Sequence, residues 1–149
     1  MDIEKIFIAS DHAGFELKNE LKTILSNLGH EVIDLGTNDG KTSVDYPDFA
    51  HSMAKNLASK CYGVLICGTG IGISIAANRH QNIRCALCHD EFTARLAREH
   101  NDANVIAFGA RVIGAGVAGE MLKVFFSTEF QGGRHERRVG KIEPNKEIS

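Results

Sequence analysis

The stretch Gly63-Val64-Leu65-Ile66-Cys67-Gly68-Thr69-Gly70-Ile71-Gly72 decides how this chain is read. The run Gly63-Val64-Leu65-Ile66 is short, apolar and bounded by turn residues, the pattern of a buried strand of a parallel sheet. It discharges a thiol, a hydroxyl and three glycines into what reads as the start of a helix. Glycines at such a junction let the chain turn tightly and bring its N–H groups close to a ligand. The N-terminus of the following helix favours negative charge. A cysteine at a strand end is ordinarily a small core residue. Beside an anion-stabilising loop, a thiol is also a catalytic arrangement.

Nucleotide-binding motifs compete for the same glycines. A dinucleotide fingerprint requires a third glycine where Ile73 stands. A phosphate loop requires a Gly-Lys-Ser/Thr run that the chain lacks.

On either side of this stretch, strand and helix patterns alternate. Lys5 to Ser10 reads as a strand, and Gly14 to Leu28 carries helical spacing through Phe15, Leu17, Leu21, Ile24, Leu25 and Leu28, with Gly29 placed to end it. Val32 to Leu35 is a second strand, and Pro47 opens a helix toward Ala58. After the strand Gly63 to Cys67, a helix is expected from about Gly70 to Arg79. Then come a strand at Ile83 to Cys88, a helix to about His100, a strand at Val105 to Phe108 and a helix from about Gly114 to Phe126. This order predicts an α/β fold with a five-stranded parallel sheet covered by helices on both faces, a three-layer α/β/α sandwich. Ligands of such sheets bind at the carboxyl ends of strands. Ser10-Asp11-His12, Cys67-Gly68-Thr69 and Phe108-Gly109-Ala110-Arg111 all fall there.

At 149 residues the chain fits one domain, burying about 68–70% of its unfolded surface. The net charge of −2 points to neither nucleic acid nor an acidic membrane as a partner. No apolar stretch approaches the roughly 20 residues of a membrane span. The start, with Asp2, Glu4 and Lys5, runs straight into a strand and is unlike a signal peptide. The four cysteines, at 61, 67, 85 and 88, lack the spacing of a disulfide scaffold and are expected to be reduced thiols of a cytosolic protein.

Several polar groups have both an ordinary and a functional reading. Asp11 precedes a helix, where it can serve as N-cap; the adjacent His12 can act as acid, base or phosphate ligand. His100-Asn101-Asp102 closes the fourth helix, where a histidine also complements the helix dipole. The segment Gly132-Gly133-Arg134-His135-Glu136-Arg137-Arg138 is a charged tail expected to run over a surface. Arg134 and Arg138 would nevertheless share a helical face, and their guanidinium forks, with Arg111, suit a phosphate dianion. Cys85 and Cys88 have CxxC spacing, but a zinc site wants a second ligand pair and a strand sends the two to opposite faces. Core packing is the expectation there.

With these residues assembled, the chain resembles the ribose-5-phosphate isomerase B and galactose-6-phosphate isomerase family from Ile6 to about Val139. The segments carrying the resemblance are Ser10 to Lys18 (SDHAGFELK), Asp45-Tyr46-Pro47, Leu65 to Asn78 (LICGTGIGISIAAN), His100-Asn101-Asp102, Phe108 to Arg111 and Gly132 to His135. It implies a Rossmann-like fold and a cofactor-free, metal-free aldose–ketose isomerase acting on a phosphosugar, with ribose 5-phosphate and ribulose 5-phosphate as the leading pair and six-carbon sugars such as allose or galactose 6-phosphate as rivals. A non-catalytic phosphosugar-binding module is a weaker rival. It also implies a cytoplasmic homodimer or dimer of dimers with shared active sites, and a tail from about residue 131 that contributes to them.

Carried onto this sequence, the resemblance makes Cys67 the base that moves a proton between C1 and C2, with Thr69 assisting at a substrate oxygen. His100 with Asp11 would open the sugar ring. His12, Arg111, Arg134 and Arg138 would hold the phosphate, and Tyr46 and Asn101 the sugar. The loop of Gly68, Gly70, Ile71 and Gly72 would cradle the enediolate. His100, Asn101 and Arg111 would come from the neighbouring subunit. Some members use a glutamate base just beyond the glycine loop; this chain has Ile73 there, which leaves the thiol.

Overall fold

The structure, a computed structural model, describes residues 1–144. Strands β1 (Lys5–Ser10), β2 (Val32–Asp34), β3 (Cys61–Cys67), β4 (Cys85–Leu87) and β5 (Val105–Gly109) form one sheet in the order β2-β1-β3-β5-β4. All neighbouring pairs are parallel. Between and after them run helices α1 (Phe15–Asn27), α2 (Tyr46–Asn56), α3 (Ile71–Ala77), α4 (Glu91–Asn101), α5 (Ala115–Phe125) and α6 (Arg134–Val139).

Alternation along the central strands divides the core in two. Ile6, Ile8, Val64, Ile66, Ile106 and Phe108 pack with Leu17, Leu21 and Leu25 of α1, Ala94 and Ala97 of α4, and Met121, Leu122 and Phe125 of α5. Their neighbours Phe7, Ala9, Leu65, Cys67, Val105 and Ala107 face Ala50 and Met53 of α2 and Ile73 and Ala77 of α3. The result is the expected Rossmann-like α/β/α arrangement. β1 and β3 are adjacent, and the chain leaves them toward opposite edges of the sheet. A crevice opens outside their carboxyl ends at such a switch point.

Some boundaries are shorter than the sequence predicts, each for a local reason. α3 ends at Ala77 because Asn78 turns its amide onto the backbone of Cys85, donating to the carbonyl and accepting from the N–H, both at 2.8 Å. β4 starts at Cys85, not Ile83, since the Arg84 amide is taken by the Asn104 side chain at 2.8 Å. β2 stops at Asp34, whose carboxylate accepts from Lys18 Nζ, Lys22 Nζ and the Gly36 amide, each at 2.8 Å.

Lys18 is fully buried on α1, and its second bond goes to the Thr37 carbonyl at 2.6 Å. Gly36 and Thr37 in turn pair with Ser10 at the end of β1. An ion pair with a buried ammonium and a partly exposed carboxylate therefore anchors the strand end that delivers Asp11. Removing one partner of such a pair leaves an uncompensated charge, a loss of about 3–5 kcal/mol. For Asp34→Asn we expect the lower part of that range, since Thr37 still holds Lys18. In a chain of this size each kcal/mol lowers Tm by about 2–4 °C, so thermal melts should show a fall of about 6 °C or more. Lys22→Ala removes only the half-exposed partner and should cost about 1 kcal/mol or less.

Burial pushes the Asp34 carboxyl upward, but the two ammonium groups and the Gly36 amide outweigh it and hold the carboxyl below the ordinary range. Its stabilising contribution is thus complete above about pH 4, the unfolded value. It is lost progressively as pH falls from there through the lowered native value.

Candidate active site

The switch-point crevice is an open cavity of about 380 Å³ lined by Asp11, Tyr46, Cys67, Gly68, Thr69, Ile71, Gly72 and Arg111. Its volume suits a small ligand. Strand β3 delivers Cys67 at its last residue, and the thiol is buried at 5% exposure. The Gly70 amide donates to its sulfur at 3.1 Å. That N–H holds the sulfur at the cavity wall, and the thiolate is the form of cysteine that can accept a proton.

That contact depends on an unusual turn. Gly70 has φ +81°, and a Cβ here would stand 2.6 Å from the Phe108 carbonyl carbon of β5. Only glycine meets both conditions. Two residues on, Gly72 packs against the Tyr46 ring with no room for a side chain, which fixes the first residue of α2 over the loop.

The loop divides its donors. The Gly70 amide serves the sulfur, and the Ile71 amide donates to Thr69 Oγ1 at 3.2 Å. The amides of Gly68, Thr69 and Gly72 have no partner among the described residues. The cradle expected along the whole loop is therefore narrower, because Gly70 and Ile71 are turned onto the loop's own atoms. Thr69 accepts from below and keeps its O–H proton to donate.

Asp11 is buried and is a cap as well as a cavity residue. Its Oδ1 accepts from the amides of Ala13 (3.0 Å) and Gly14 (3.3 Å), and its own N–H donates to the Ile66 carbonyl at 3.2 Å. His12 lines a separate hollow with Phe15, Glu16 and Lys41. Its Nδ1 accepts from the Val44 amide at 3.2 Å, so a neutral ring carries its proton on Nε2 and presents it as a donor.

His100 and Asn101 are not among the residues lining the Cys67 cavity. Asn101 lines a different one, of about 330 Å³, beside Arg84, Cys85 and Ala103. His100 stacks on His135 of α6, with ring centroids 4.2 Å apart and planes 13° from parallel. The tail from Gln131 is thus more than a surface run, since α6 packs on α4 and buries His135. Burial first, then the neighbouring His100, Arg134 and Arg138, push the His135 pKa below the ordinary histidine value, favouring a neutral ring at pH 7. Arg134 and Arg138 are exposed and one helical turn apart on α6. Arg111 lies over Gly68 of its own chain, although the resemblance gives it to the neighbour. His135 had no role in the sequence reading, and only the approach of α6 to α4 reveals it.

The other three cysteines are packing residues, and Cys61 lies in the core on the α2/α3 side. Cys88 sits in the core on the α1/α4/α5 side, and Cys85 packs against the other. Burial pushes the Cys88 thiol up to about 11 and Cys85 further, with mutual repulsion adding to the latter. Both stay protonated at neutral pH. Ile73 is fully buried, packs in the same core cluster as Cys67, and carries no group that could take a proton. No helix among the described residues is long and apolar enough to cross a membrane.

A sequence profile of the family described as Ribose/Galactose Isomerase matches residues 6–142. Ribose-5-phosphate isomerase B of Escherichia coli is 44% identical over 142 residues, covering 94% of this chain and 95% of that protein. The structure of ribose 5-phosphate isomerase B from Anaplasma phagocytophilum superposes with a TM-score of 0.92 at 51% identity, covering 96% of this chain and 99% of that one. The Mycoplasma genitalium enzyme of the same name, solved with ribulose-5-phosphate bound, gives 0.86 at 42% identity, with 93% of each chain covered.

Proposed function

This chain belongs to the ribose/galactose isomerase family, and from that premise we propose that it interconverts D-ribose 5-phosphate and D-ribulose 5-phosphate. The observation that carries the proposal is the buried Cys67 thiol, with the Gly70 amide on its sulfur, at the wall of a cavity shared with Asp11, Thr69 and Arg111.

The chemistry follows from these atoms. Cys67, as thiolate, removes the proton on C2 of the open-chain aldose, and the electron pair moves to form an enediolate. The same thiol returns a proton to C1, while the O2 hydroxyl proton passes to O1. The free O–H of Thr69 and the amides of Gly68, Thr69 and Gly72 are the donors available to the enediolate oxygens. One well-placed donor of this kind is worth about 2.7–4 kcal/mol of barrier. His12, Arg111, Arg134 and Arg138 hold the phosphate, and Tyr46 and Asn101 contact the sugar. His100, with Asp11, opens the furanose ring.

We further propose that residues 1–149 act as one cytoplasmic domain in a homodimer or dimer of dimers, with the tail from about residue 131 contributing to the site. Two features support a shared site. His100 and Asn101 do not line the cavity of their own Cys67, and α3 beside that cavity exposes Ile71 and Ile75, 51% and 62% accessible and one turn apart.

The test is a substrate panel followed by NMR, with chelator present. Ribose 5-phosphate should convert to ribulose 5-phosphate faster than allose or galactose 6-phosphate reacts. Faster turnover of a six-carbon sugar would move the assignment within the family. His100→Asn tests the ring-opening role. It should lose activity on ribose 5-phosphate by about 10²–10⁴-fold yet keep most of it on D-erythrose 4-phosphate, whose phosphorylated O4 cannot close a furanose. Equal loss on both removes ring opening from the role of His100.

A further inference from the structure

Asp102 follows His100 and Asn101 directly and caps α4 in the left-handed region, at φ +47°. Glycine is the residue that fits this position with least strain. Aspartate tolerates the position better than most other residues, and here its side chain is also held. Its Oδ1 accepts from the Arg98 guanidinium at 3.0 Å and its Oδ2 from that of Arg84 at 3.1 Å, and Arg84 Nε also donates to the Asp102 carbonyl at 3.0 Å.

The two arginines are themselves fixed. Arg98 is 3% exposed, lies 5.3 Å and 5.9 Å from the Tyr62 and Phe125 ring centroids, and donates to the carbonyls of Ala103 and Thr128. Arg84 precedes β4, and its backbone pairs with Asn104. One carboxylate therefore ties the exit of α4 both to the core beneath it and to the edge of the sheet. The helix end that it ties carries His100 and Asn101.

We infer that Asp102 is a positioning residue, which through Arg84 and Arg98 fixes the direction in which His100 and Asn101 leave the helix. The inference rests on the assignment of His100 to ring opening given above. A purely stabilising knot would affect every substrate alike. A positioning knot lowers kcat through the step that His100 performs, while a displaced Asn101 raises KM on both substrates and leaves the kcat comparison intact.

Asp102→Gly suits the backbone and removes both guanidinium contacts, and Asp102→Asn keeps one acceptor. A displacement of about 1 Å in a reacting group can cost about a hundredfold. Asp102→Gly should therefore lose about that factor in kcat on ribose 5-phosphate, and less than about threefold on D-erythrose 4-phosphate. Asp102→Asn should recover part of the loss. The ring NMR resonances of His100 should move in Asp102→Gly, while those of the distant His51 stay in place.

His100→Asn, measured in parallel, separates the two ideas. If it discriminates between the substrates and Asp102→Gly does not, Asp102 only holds the fold and the inference is overturned. Unchanged kcat in Asp102→Gly on ribose 5-phosphate overturns it as well. If His100→Asn itself does not discriminate, the ring-opening assignment fails, and the resonances decide. Unmoved His100 signals in Asp102→Gly then overturn the positioning role, and displaced ones support it.

Discussion

Cys67→Ala should lower turnover of ribose 5-phosphate by at least the 10²–10⁴-fold typical of a removed general base, with the fold intact. The substitution deletes one sulfur from a site that already tolerates a small residue, so it creates little cavity. It removes the only thiol in the crevice and leaves the Gly70 amide without its acceptor. In deuterated water, exchange of the C2 proton should stop with turnover, because both need the same proton acceptor. Ring opening uses other groups and should persist, visible as continued interconversion of the ribose 5-phosphate anomers. Near-normal isomerisation would instead move the base to Asp11, the other acidic group lining the cavity.

A second large effect comes from mixing two dead variants. Cys67→Ala and His100→Asn homo-oligomers should each be inactive on ribose 5-phosphate. If each site takes Cys67 from one subunit and His100 from its partner, a mixed dimer has one site with both defects and one with neither. After unfolding and refolding together, half the dimers are mixed, so activity should return to about a quarter of wild type by symmetry. No recovery, with mixed dimers shown to form, would place Cys67 and His100 of one site on one chain. Within the subunit, His100 does not line the cavity of Cys67.

Much of the scaffold was legible because it is periodic. The apolar run ending at Cys67 and the leucines of α1 at positions 17, 21 and 25 are local patterns, and local patterns set strands and amphipathic helices. The polar residues at strand ends followed from the architecture, and Asp11, Cys67 and Arg111 do line one cavity. What stayed hidden depends on contacts distant in sequence. The burial of Lys18 against Asp34 and Thr37 cannot be read from a lysine on a helix face, which ordinarily sits in water. The stacking of His135 on His100 required α6 to fold back over α4. Within the loop, spacing alone could not tell which amides face outward, since the φ of Gly70 decides it.

The side chain of Asn78 has a consequence beyond ending α3. β4 is an edge strand of only three residues, and edges with free N–H and C=O groups invite another strand to dock. Asn78 satisfies both backbone groups of Cys85 with its own amide, as a one-residue imitation of a neighbouring strand. The sheet is thereby closed to growth at that point. Another strand could pair with Cys85 only by displacing that amide.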